Sequence, residues 1–140
     1  MLKNIFKKQE IKKQNNNVLI AALLIHAAKI DENYTDTEKK IIIKAIADLN
    51  KFSLPKAEEI IKEAEKKEKE SNQIIEFTQE IKKHSIEFRL KIIEIIWKIV
   101  YSDGQSDAYE SSLIRRICGL LYVSDKDNGI IKTKIINQLK

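Results

Sequence analysis

One pattern occurs twice in this chain of 140 residues, 72 positions apart, and it governs how the chain folds. In each copy an apolar helix runs into an acidic loop, an amphipathic helix follows, and a serine starts the helix after that. Setting Asp31 on Asp103 places Glu38 on Glu110, Ile20 on Ile92, Leu24 on Ile96, Ile42 on Ile114 and Leu49 on Leu121. With one residue removed, Ser53 falls on Ser124. Such a duplication predicts two matched halves about a pseudo-two-fold axis, an arrangement that would bring the acidic loops together.

The apolar helix of the first copy is Val18–Ala28, where ten of eleven residues are apolar and only His26 is polar. A segment apolar on every side has no face to give to water, so it belongs at the centre of the fold. Its uninterrupted part, Val18–Ile25, is far short of the roughly 20 residues needed to span a bilayer. The second copy supplies Ile92–Val100, which includes Trp97. His26 reads as a hydrogen-bonded residue at the core edge and Cys118 as a small buried one. A single cysteine excludes an internal disulfide framework and a cysteine-rich zinc site.

Three glycines and one proline are too few for a many-turned β protein. The fold expected is therefore all-α, a compact bundle of about seven helices built from the two pseudo-repeats. Helices are expected near 18–30, 35–50, 54–70, 72–84, 86–102, 107–121 and 124–138. Thr35-Asp36-Thr37-Glu38 has the form of a capping box. Ser53 with Pro55 in the first turn, and later Ser124, mark further helix starts. Gln14-Asn15-Asn16-Asn17 reads as a break between a basic arm, 1–17, and a helical domain, 18–140. The charge-rich run Lys56–Glu70 reads as a solvated face over a narrow seam of Ile60, Ile61 and Ala64, laced by i,i+4 pairs such as Glu58/Lys62, Glu63/Lys67 and Glu65/Lys69. In the last helix Ile130, Ile131, Ile135 and Leu139 form the apolar stripe.

The net charge of +5 is concentrated in the arm, where five lysines stand against Glu10. The body is nearly neutral, which argues against nucleic acid as a partner. The arm's stripe of Leu2, Ile5, Phe6 and Gln9 among lysines gives a short amphipathic segment, read as a frayed arm, as a helix docked on the body through Phe6, or as a reversible contact with an anionic lipid surface. No serine–histidine–acid set, phosphate-cradling glycine loop or cysteine–histidine pair has a usable spacing, so no enzymatic activity is expected. With no secretory signal, the expected location is the cytoplasm, with peripheral association at the inner membrane through the arm.

Leu23-Leu24-Ile25-His26-Ala27-Ala28, Phe77-Thr78-Gln79-Glu80-Ile81 and Trp97-Lys98-Ile99-Val100-Tyr101-Ser102-Asp103-Gly104 follow one another in a telling order. Together with Glu110 and Leu113-Ile114-Arg115-Arg116-Ile117 they resemble the tellurite-resistance protein B (TerB) family, in its small bacterial branch, from about Val18 onward. The resemblance implies an all-α bundle without known enzymatic activity. It also implies an acidic surface region associated with divalent metal and a link to stress systems at the inner membrane. Two departures stand out. Asp31-Glu32 replaces the usual Asp-Gly, and the apolar residue three positions after the acid is kept as Tyr34 but becomes Ser106.

Asp31, Glu38, Asp103 and Glu110 are therefore the candidate metal ligands, for a hard cation such as Ca²⁺ or Mg²⁺, with Asp36 and Asp107 beside them. An EF-hand is excluded, because Gln105 and Ile114 occupy two of its ligand positions. The competing account makes these acids helix caps, favoured at helix N-termini by the dipole. The chain would then be a helical interaction module recruited by its basic arm to a membrane or a protein partner.

Overall fold

Helix α1 (Leu2–Ala28) is the axis of the molecule, because its second half has no polar face to turn outward. It packs on α2 (Asp36–Asn50), α3 (Leu54–Glu70), α4 (Ile75–Lys82), α5 (Ile86–Val100) and α6 (Ala108–Leu120). The last helix, α7 (Asp125–Gln138), lies against α5 and α6. Short 3-10 turns at Lys29–Asp31 and Tyr101–Asp103 follow the two apolar helices. The computed structural model describes residues 2–31, 34–71, 74–103 and 108–138, and no strand occurs among them. The all-α bundle expected from the repeats is the fold observed.

The core is one cluster centred on Leu23, Leu24 and Ile25 of α1 and Ile92, Ile93 and Ile96 of α5. Phe77 and Cys118 are buried in the same cluster. Trp97 is 1% exposed, and its Nε1 donates to Asn128 Oδ1 at 2.8 Å, which ties α5 to α7. Among the described residues no helix is long and apolar enough to cross a membrane.

Local chemistry sets most of the helix ends. The hydroxyls of Ser53, Ser85 and Ser124 accept from the amides of Lys56, Phe88 and Asp127 at 3.4, 3.3 and 3.1 Å. Each satisfies one of the donors a helix start leaves free. At the other ends of α2 and α6 the chain turns through left-handed residues, Lys51 and Tyr122. The next amide then bonds back, Phe52 to the Ala47 carbonyl at 3.0 Å and Val123 to that of Cys118 at 2.9 Å. The two repeats thus end their amphipathic helices in the same way.

Three expectations need correction. The break at Gln14–Asn17 does not exist, and α1 runs through it and across the 17/18 boundary. Asparagine inside a helix costs only a fraction of a kcal/mol, and Asn17 is held in the core by accepting from Asn50 Nδ2 at 2.8 Å. The helix expected near 72–84 is α4, Ile75–Lys82, which ends two residues early, and residues 72 and 73 lie outside the described ones. Ser71 is extended and closes α3, and α4 begins without a side-chain cap. In α7, Ile135 is buried and Ile131 half-buried, but Ile130 is 57% exposed. Asn128, Ile131 and Ile135 share the face that Trp97 anchors, and Ile130 is about 100° away from Ile131 round the helix. Leu139 lies outside the described residues.

Candidate functional site

The first loop is assembled from α1, α2 and α3. The Lys29–Asp31 turn leaves α1, and the chain re-enters helix at Thr35, the cap of α2. The capping box is complete: the Glu38 amide donates to the Thr35 hydroxyl at 3.1 Å, and the Thr35 amide donates to Glu38 Oε1 at 2.8 Å. Glu38 is only 5% exposed, so this carboxylate lies at the floor of the loop. Asp36, by contrast, points to solvent in the first turn of α2.

Helix α3 contributes two further carboxylates to the same place. Lys29 donates to Glu68 Oε2 at 2.8 Å, and His26 Nδ1 lies 3.4 Å from Glu68 Oε1. Lys39 Nζ is 2.9 Å from Glu65 Oε1. That approach pairs the charges without the alignment of a hydrogen bond, and this buried oxygen has none among the described residues. The half-buried Tyr34 reaches into the group. Its phenol is pushed well above its ordinary range by burial, then by Glu65, Glu38 and Glu68 in decreasing order. Its hydroxyl is buried without a hydrogen-bond partner among the described residues.

The solvated-face reading of α3 therefore fails at Glu65 and Glu68. Glu65 takes Lys39 of α2 instead of Lys69, and Lys67 reaches Glu76 of α4 at 3.1 Å. A signal was available: Ile61, Ala64, Glu65 and Glu68 are spaced i, i+3, i+4 and i+7, which puts both acids on the edge of the apolar seam.

The second loop is described in part. Its 3-10 turn, Tyr101–Asp103, continues α5, and the Tyr101 ring stacks on Trp97 with centroids 5.5 Å apart. The side chains of Asp31, Asp103 and Glu110, and the whole of Asp107, lie outside the described residues, as does the departure at Glu32. Of the four candidate ligands only the Glu38 side chain is described. The backbone does bring the repeats together, because the Lys29–Asp31 turn packs against α6, the helix that carries Glu110. Among the described residues no three His, Cys, Asp or Glu side chains gather as a metal-holding group.

A protein-family model settles which kind of bundle this is. The tellurite resistance protein TerB model matches residues 17–133, most of the chain. The chain belongs to the TerB family. Comparison with curated proteins and with solved structures finds no match. The TerB match begins at Asn17, within α1, and takes in both loops, with Glu38, Glu65 and Glu68. The all-α fold seen here is accordingly that of the TerB family.

Elsewhere the Cys118 thiol is pushed up to about 12 by burial and, less, by Asp125, which removes it as a nucleophile near neutral pH.

Proposed function

We propose that this TerB-family protein is a non-enzymatic module that binds a divalent cation, Ca²⁺ or Mg²⁺, where its two acidic loops meet. Asp31 and Glu38 from one repeat and Asp103 and Glu110 from the other are the ligands. The observation that carries this reading is the packing of the Lys29–Asp31 turn against α6, which sets the first loop beside the helix that begins near Glu110. The local chemistry fits a hard cation. Carboxylate oxygens are the ligands a hard cation takes, and Glu38 holds one of them at the floor of the loop. The Tyr34 hydroxyl supplies a buried oxygen in the same region with no hydrogen bond among the described residues. In this reading the module acts in stress responses linked to the inner membrane, as the family resemblance implies. Calorimetric titration of Ca²⁺ and Mg²⁺ into the full chain tests the reading. Saturating heat that disappears in Glu110→Gln supports it, and flat titrations of the wild type contradict it.

A second reading rests on α1. Its first half extends the central helix and carries lysines, with Ile5 53% exposed and Lys8 exposed. A basic helix with an uncovered apolar residue suits an anionic membrane surface. In that reading the arm recruits the bundle, and the acids of the loops serve as caps.

A further inference from the structure

A groove of about 530 Å³ opens between α2 and α5 and ends on α7. Its floor is apolar: Ile41, Ala45 and Leu49 from α2, Ile95 from α5 and Ile135 from α7. The spacing of four residues lines up the α2 members over about 12 Å. Lys44, Lys91 and Lys98 stand round this floor, and Asp48 is the only acid on its wall among the described residues. Lys98 approaches Glu94 at 3.7 Å, whereas no ion pair joins Lys44 or Lys91 to an acid among the described residues.

The spread of charge decides what fits. Lys91 and Lys98 are two turns apart on α5, about 10 Å, and Lys44 faces from another helix. A ligand with a single acidic headgroup reaches one of these lysines and leaves the others unmatched. A helix with acids on its flanks matches all three while its apolar side covers the floor. We propose that this groove docks an acidic amphipathic helix of a partner protein, with glutamates or aspartates meeting Lys44, Lys91 and Lys98. None of these lysines or floor residues is a candidate cation ligand, although Thr37 and Ser102 bring one end of the groove next to Glu38 and Asp103 in the chain.

The test uses the full chain and a synthetic helical peptide of about four turns, with leucines spaced i,i+4 and glutamates on both flanks, beside a copy with lysines in place of the glutamates. The acidic peptide is expected to bind, to shift the amide resonances of Ile41, Ala45, Leu49 and Ile95, and to weaken as salt rises. Lys44→Glu with Lys91→Glu is expected to weaken binding roughly tenfold, because two attractions become repulsions. Lys62→Glu with Lys69→Glu, on the exposed side of α3, keeps the same change of charge and is expected to leave binding unaltered. Ala45→Arg adds positive charge but fills the floor, so weakened binding there shows that shape matters as well as charge. The proposal is overturned if the acidic peptide fails to bind, if the lysine peptide binds equally well, or if the shifts fall outside the groove. Dodecanoate shifting these residues where the peptide does not overturns it in favour of a single-headgroup acid. A dimer dissolved by the Lys44 and Lys91 changes overturns it in favour of a second copy.

Discussion

Lys51 and Tyr122 occupy equivalent positions of the two repeats, and both hold left-handed backbone, with φ of 56° and 55°. Neither is glycine, the residue that adopts this conformation without a Cβ penalty. The two repeats thus share a helix-ending geometry in which each residue carries a Cβ that the conformation disfavours.

Lys51→Gly is therefore expected to stabilise the fold by roughly 0.5–1 kcal/mol, since a left-handed L-residue costs about 1–2 kcal/mol and glycine returns part of that as unfolded-state entropy. Urea denaturation gives the answer. A lowered midpoint would show that the Lys51 side chain contributes more than its backbone strain costs.

The Trp97–Asn128 bond predicts an asymmetric pair of variants. Asn128→Ala leaves a buried indole N–H without its acceptor and should destabilise by about 1–3 kcal/mol. Asn128→Asp keeps an acceptor in place and should retain most of the stability. Equal losses in the two variants would mean that the bond to Asn128 Oδ1 is not what holds α7 to α5.

Alkaline pH should loosen the fold through two acids. Burial, and Asp125 behind it, pushes the Cys118 thiol up to about 12. Tyr34 is also raised, by burial first and then by its three carboxylate neighbours. Both groups are neutral when protonated, so the folded chain holds these protons more tightly than the unfolded chain. The stability they contribute is complete below their unfolded values, about 8.5 and 10, and is lost as pH rises toward the folded ones. Melting temperature should fall above roughly pH 9, and less steeply in Tyr34→Phe. A thiol reagent at pH 8 should label Cys118 only after denaturation, and rapid labelling of the native protein would contradict the burial described.

The basic half of α1 predicts salt-sensitive binding to anionic vesicles, since attraction of about 1 kcal/mol per basic residue fades within a Debye length. The full chain should sediment with phosphatidylserine vesicles at low salt, and a chain beginning at Asn15 should not. Equal binding by both would remove the arm from recruitment.

Much of this architecture was legible because it rests on local rules. Thr35, Ser53 and Ser124 cap helices as their side chains suggest, and the all-apolar segments found the core. The parts that were not legible depend on partners distant in sequence. Asn17 stays helical and buried because Asn50 bonds it, 33 positions away. Glu65 and Glu68 read as solvent-facing until Lys39, Lys29 and His26 arrive from other helices. Ile130 and Ile131 are equally apolar, and only the Trp97 anchor sets which one turns inward. For the candidate site, Glu38 was found from its place in the repeat, and its role as a cap came from the same four residues. The left-handed turns had no sequence mark, because neither position is glycine.

The shared cation is tested most directly by thermal melting of the full chain with Ca²⁺, Mg²⁺ or chelator. A cation at about 100 times its dissociation constant should add about 2.7 kcal/mol of stability. Glu110→Gln, which keeps an acceptor of the same shape, should melt like the wild type in chelator and lose most of that gain. Asp31→Asn should lose it too under the proposal that both repeats hold one ion. Wild-type melting unchanged by millimolar Ca²⁺ and Mg²⁺ would contradict the shared site and leave the acids of both loops as helix caps.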